Sequence, residues 1–244
     1  MSFKLIYEVS LPREPDLKKI FTQLEIFGPV VDSFLIPDNH LGIAAVSSVA
    51  VAIEVKKEGL DPLVALNARD RNTLRLESDL LTLKSYDINK VLFLYGDHVD
   101  VDRSSLNVKK MLAHPAAEGM KLGVAARIGQ SIGWRARADF LFTQLAFGVG
   151  KPGYWREAEG FDNPMFCGVI APPNRRAAEF AIGNIPDLTP PGGYFERFDS
   201  SDEAGLEAAV EEITHLRSVG VDGAHLVVPA KWRRCAEILG AWRA

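Results

Sequence analysis

Residues 63–95 read LVALNARDRNTLRLESDLLTLKSYDINKVLFLY, and they hold one full unit of the pattern that sets the fold. The apolar run Leu63–Ala68 has the length and composition of a buried strand. A polar cluster, Arg69-Asp70-Arg71-Asn72, follows where a helix should start, with Asp70 and Asn72 as candidate caps. Thr73–Tyr86 is amphipathic, and a second apolar run, Lys90–Tyr95, completes the unit. Strand, helix, strand in this order means two parallel strands joined by a crossover helix.

The same unit recurs on both sides. Strand-like runs stand near Leu5–Ser10 and Val31–Ile36 before it. Others stand near Leu122–Arg127, Phe140–Leu145, Phe166–Ala171 and Ala224–Val228 after it, which makes eight. Amphipathic stretches lie between them at Asp16–Phe27, Ala45–Lys57, Ser105–Ala113, Arg175–Ile182, Ser201–Val219 and Lys231–Trp242. Eight alternating units close most naturally into a (β/α)8 TIM barrel, with a doubly wound open sheet as the rival. Two places break the rhythm. Gly129–Ala138 is short for a crossover helix, and Gly148–Asn163 is Gly-rich with only a weak helical pattern. No composition shift or linker marks a boundary, so residues 1–244 are read as a single domain.

With 28 basic against 32 acidic residues, the net charge of −4 gives no basic face for nucleic acid. Arg175-Arg176 and Arg233-Arg234 read as solvated helix surface. The two cysteines, Cys167 and Cys235, lack metal-ligand spacing, and Cys167 lies in an apolar run as a buried thiol would. Charges precede any stretch of signal-peptide length, and the apolar run Ile43–Val55 is too short for a membrane span. These features predict a cytoplasmic protein with no membrane or nucleic-acid partner. They leave the oligomeric state open.

In a TIM barrel the chemistry sits at the carboxyl ends of the strands. Glu8 lies inside the apolar run Leu5–Ser10, where a carboxylate is costly unless paired or protonated. Asp97 follows Gly96 at the end of the fourth strand, next to His98. Gln144 ends the sixth, and strand parity puts it on the same face as Phe140 and Phe142, as a buried amide. Arg69 is placed to meet an anionic ligand group. The five histidines do not cluster in sequence, which gives metal chemistry little support.

Five of these segments, in order, resemble the methylenetetrahydrofolate reductase family. They are Ile6-Tyr7-Glu8-Val9-Ser10-Leu11-Pro12-Arg13, Arg69-Asp70-Arg71-Asn72, Lys90–Asp97, Phe140-Leu141-Phe142-Thr143-Gln144 and Phe166–Pro172. The resemblance implies a barrel that reduces 5,10-methylenetetrahydrofolate to 5-methyltetrahydrofolate in one-carbon metabolism. It implies Glu8 as the general acid that protonates a folate nitrogen, with Asp97 and Gln144 anchoring the pterin. An acid in an apolar mouth, raised in pKa, stays protonated near neutral pH and suits that role.

The resemblance also implies FAD, and here the chain departs from the family. Ile36-Pro37-Asp38-Asn39, Ala65, Tyr95 and Arg127 stand where flavin-contacting residues are expected, and the helix before the sixth strand is reduced to Gly129–Ala138. Arg69, Tyr95, Arg127 and Arg135 are the remaining candidates for holding a cofactor. Either flavin is held differently, or hydride passes directly from NAD(P)H to the folate, and the second is preferred. The alternative is a non-catalytic folate-, pterin- or flavin-binding barrel acting as a partner subunit.

Overall fold

In a computed structural model, residues 2–96, 106–145, 147, 151–183 and 189–243 are described. The first half runs β1 (Lys4–Glu8), α1 (Lys18–Phe27), β2 (Ser33–Ile36), α2 (Ser48–Lys57), β3 (Pro62–Asn67), α3 (Thr73–Ser85), β4 (Lys90–Leu94) and α4 (Val108–Leu112). The second half runs β5 (Lys121–Ala126), β6 (Phe140–Leu145), α5 (Lys151–Glu159), β7 (Met165–Ile170), α6 (Arg175–Gly183), α7 (Ala204–Ser218), β8 (Gly223–Val227) and α8 (Trp232–Arg243).

The strands pair in sequence order, all parallel, and β1 pairs with β8 to close the barrel. That pairing, with Ile6 opposite His225, excludes the open doubly wound sheet. The observed strands match the apolar runs to within two residues, because a strand buried on both faces must be apolar along its whole length. The outer face packs against the helices. Tyr7 stacks on Phe27 of α1 with ring centroids 3.8 Å apart. Asn72 caps α3 by accepting from the Arg75 amide at 2.8 Å, as its position before Thr73 predicts. Trp232 and Trp242 pack on the barrel, and Trp242 meets Phe3 at 5.9 Å.

Two connections differ in kind. Between β5 and β6 there is no α-helix, only a 3-10 turn at Gly133–Arg137, as the shortness of the segment predicts. Between β6 and β7 the weakly patterned segment does form a helix, α5. Tertiary contacts override its poor propensity. Trp155 is buried and donates to the Gln130 carbonyl at 2.8 Å, and Arg156 pairs with Asp222. Gly153 is needed where it stands, because a Cβ there would lie 2.8 Å from the Val219 carbonyl oxygen.

Candidate functional site at the carboxyl ends of the strands

All eight strands run the same way, so their carboxyl ends gather at one end of the barrel. Glu8 is the last residue of β1, and Gln144 is the last but one of β6, so both stand at that end. Below them the interior is filled by Ile6, Leu35, Leu92, Phe140, Phe142 and their neighbours. Gly123 makes that packing possible, since a Cβ there would lie 1.9 Å from the Phe140 ring.

Glu8 follows Ile6 by two residues and so shares its inward face. The end of β1 is held by Gln23 of α1, which is fully buried. Gln23 accepts from the Tyr7 hydroxyl at 2.8 Å and the Ser10 amide at 2.7 Å, and donates to the Ser10 carbonyl at 3.1 Å. This clamps the backbone on both sides of Glu8. The carboxylate meets the imidazole of His225, on the adjoining strand β8, at an Nε2–Oε2 distance of 2.7 Å. Both side chains are mostly buried, 16% and 13% exposed. The approach is an ion-pair contact rather than an aligned hydrogen bond, since Nε2 has no partner in hydrogen-bond geometry. The imidazole packs on Phe142, ring centroids 5.4 Å apart.

Burial pushes the Glu8 carboxyl up, but the His225 contact and charge, with a smaller contribution from His40, outweigh it and hold Glu8 below the usual carboxylate range. The expectation of an acid raised by an apolar mouth is therefore corrected. The mouth is not apolar at Glu8, because β8 brings a histidine to it. Histidines scattered in sequence hid this contact, and the alternation of β8, with His225 two before Val227, was the available signal.

A second polar group joins the ends of β2 and β3. Asn67 is fully buried, and both its amide and its side chain donate to Asp38, at 2.8 and 2.7 Å. Arg71 also pairs with Asp38, and with Asp79 of α3 at 3.0 Å. Asp70 accepts from Asn67 at 2.9 Å, from Asn39 at 3.2 Å and from Arg69 at 3.0 Å. Burial raises the Asp70 carboxyl, while those donors and the Arg69 charge bring it below its ordinary value. These bonds tie Arg69-Asp70-Arg71-Asn72 to the loop after β2. The cluster is thus largely a brace that shapes the rim. The Arg69 Nη1 is buried without a partner, and the guanidinium lies against Gly96, where a Cβ would be 3.5 Å from Cζ. Gly96, at φ 95°, takes a backbone conformation suited to glycine.

No family model matches this chain, and no curated protein does. What the site can do therefore rests on its residues.

Gln144 is exposed, which corrects the buried amide expected from parity. The pairing of β6 with β7 shifts after Phe142: Phe142 sits opposite Phe166, but Leu145 sits opposite Gly168. The extra residue is a β-bulge, so the alternation that fixed Phe140 and Phe142 inward does not extend to Gln144. Asp97 and His98 lie outside the described residues. Tyr95 is 54% exposed on the rim beyond β4. Arg127 is half-buried just beyond β5. Arg135 donates to the Ala125 carbonyl at 3.2 Å and stacks its guanidinium over Trp134 at 4.8 Å, which places it on the β5–β6 side of the mouth.

Among the described residues, no group of His, Cys, Asp and Glu could hold a metal ion, and no helix is long and apolar enough to cross a membrane. Cys167 and Cys235 are buried, and burial pushes each thiol up to about 12, far from a reactive thiolate. A cavity of about 550 Å³ lies at the opposite end of the barrel, lined by Phe3, Arg217, Asp222, Trp242 and Arg243. Of its charges, Arg243 pairs with Asp32 at 2.6 Å and Asp222 with Arg156 at 2.5 Å, while Arg217 lies over the Trp242 ring at 5.4 Å, as suits a stabilising end.

Proposed function

We propose that this protein is an oxidoreductase that reduces 5,10-methylenetetrahydrofolate to 5-methyltetrahydrofolate with NAD(P)H. The observation that carries the reading is Glu8 itself: a mostly buried carboxyl group at the carboxyl end of β1, set on an apolar floor. A buried carboxyl in that position is suited to move a proton rather than to stabilise the fold. In the resemblance Glu8 is the acid, with Asp97 and Gln144 on the pterin.

The chemistry needs one proton and one hydride. Glu8 gives the proton to the folate nitrogen whose bond to the methylene carbon breaks, and the five-membered ring opens to an iminium. NAD(P)H supplies the hydride that reduces the iminium carbon to a methyl group. Gln144, with two donors and an acceptor on an exposed side chain, can meet the amide and amine edge of a pterin. Arg69, Arg127 and Arg135 are cations at this end suited to a phosphate or to the carboxylates of a folate tail.

The residues present fit FAD poorly. A pyrophosphate is commonly held at a helix N-terminus, and the β5–β6 connection offers only the 3-10 turn Gly133–Arg137 in place of a helix. The reading is therefore direct transfer from NAD(P)H.

The test is oxidation of NAD(P)H by methylenetetrahydrofolate, followed at the nicotinamide absorbance with and without added FAD. Flavin-free turnover, unchanged by FAD and abolished in Glu8→Gln with folate binding retained, is the expected result. Stoichiometric FAD released on denaturation, or activity only after FAD is supplied, would overturn the direct transfer. Folate binding with no turnover under any condition would leave a pterin-binding barrel in place of the enzyme.

A further inference from the structure

Glu8 is held in its charged form in the free protein, yet the proposed reaction asks it to deliver a proton. The structure supplies a source for that proton. His225 enters the barrel from β8, in register with Ile6, and its Nε2 stands 2.7 Å from Glu8 Oε2. Its ring rests on Phe142, and Nε2 is buried with no partner in hydrogen-bond geometry, so a small rotation would align it with Glu8. On its other side the register partner is Gly168, which presents no side chain to His225. Of the elements around the pair, β6 and β7 therefore present Phe142 and Gly168, which do not titrate. Among the described residues, the charges that lower Glu8 are His225 from β8 and His40 from the turn after β2.

We propose that His225 is a positioning residue for Glu8: the two side chains share one proton, which reaches the substrate nitrogen through Glu8 and is restored to the imidazole from solvent. This rests on the reductase reading for the identity of the substrate, but not for the pairing itself. The step balances. The imidazolium N–H bond breaks as a Glu8 O–H bond forms. That bond breaks in turn as the folate nitrogen's lone pair takes the proton; the electron pair of its breaking C–N bond stays on that nitrogen, and the lone pair of the other nitrogen on the methylene carbon forms the iminium C=N bond. The pair is left as carboxylate and neutral imidazole until a solvent proton reloads it. A histidine suits this task because an imidazole can take up and release a proton near neutral pH.

The experiment uses full-length protein labelled with ¹³C at the glutamate carboxyls. The Glu8 resonance is assigned by its loss in Glu8→Gln and followed against pH without any substrate. In His225→Gln, an amide that can touch Glu8 but cannot carry a proton, the histidine charge is gone while burial and the smaller His40 contribution remain, and the Glu8 midpoint should rise by about one pH unit or more. His225→Asn is the second variant should the first fold poorly. An unmoved midpoint overturns the proposal whether or not the protein is a reductase.

The kinetic arm uses NAD(P)H and methylenetetrahydrofolate. His225→Gln should lower kcat by roughly 10- to 100-fold at neutral pH, within the range of a proton-transfer contribution. It should leave KM for the folate nearly unchanged and displace the pH profile of kcat. An unaltered profile overturns the proton sharing. A shifted Glu8 midpoint in a protein that never turns over supports the pair and removes the reductase reading.

Discussion

Glu212 of α7 shows how one carboxyl can work against the fold. Its Oε1 is sealed from solvent without a partner, in a narrow crevice it shares with the equally unpartnered hydroxyl of Tyr194. Burial raises Glu212 from 4.5 to about 7. The folded chain therefore keeps a proton there that the unfolded chain has lost, and the stability this contributes is present below pH 4.5 and lost as pH rises towards 7. After screening at the partly exposed carboxyl, the loss is on the order of 1–2 kcal/mol. In Glu212→Gln the fall is removed, so the variant should melt above the wild type at pH 8 and close to it at pH 5. Parallel melting temperatures at both pH values would show that Glu212 finds a partner or water in solution. The Glu8–His225 contact belongs to the same scale, and the sequence carried only a faint signal of it. Each residue can be placed on its own strand, but only barrel closure makes β1 and β8 neighbours. Asp38 was hidden for a related reason: a loop carboxylate gives no periodic signal, and its partners Asn67 and Arg71 sit on another unit.

At the scale of elements, the strands were legible because a parallel barrel strand is a continuous apolar run, and eight such runs leave few alternatives. The helix α5 was not, because its stability comes from Trp155, Arg156 and the close approach at Gly153 rather than from an apolar stripe. The β6 bulge was not legible either. A bulge is one extra residue in a pairing, and the sequence of one strand does not record its partner's count. Packing inside the barrel yields a further prediction. Gly123→Ala puts a methyl group into the Phe140 ring, and overpacking of this kind costs typically ~1–3 kcal/mol. The urea midpoint should fall accordingly, and Phe140→Leu in the same chain should restore part of the loss. Additive losses in the double variant would mean that the two side chains do not meet.

At the scale of the whole molecule, acid should undo what Glu212 alone suggests. For Glu8, Asp32 and Asp70 burial pushes upward, but a histidine, lysine, arginine or amide partner holds each carboxyl below its ordinary value. Asp32 accepts from the Leu5 amide at 2.8 Å and pairs with Lys4 and Arg243, so it ties both sides of the barrel seam. For such groups the stability is present above the ordinary carboxylate pKa and lost as pH falls through the depressed folded value. Circular dichroism across an acid titration should show cooperative unfolding below about pH 4, where these partners lose their anions. Asp32→Asn should move that transition to higher pH. A variant that unfolds at the wild-type pH would take Asp32 out of the acid transition.

The apolar filling of the barrel has a consequence for traffic. Phe140, Phe142, Ile6 and Leu92 leave no passage through the centre, so the barrel is a cul-de-sac with one doorway. Whatever reaches Glu8 arrives from the carboxyl end, and whatever is made there leaves the same way. On the proposed reading, both the folate and the nicotinamide nucleotide would come and go through that one end.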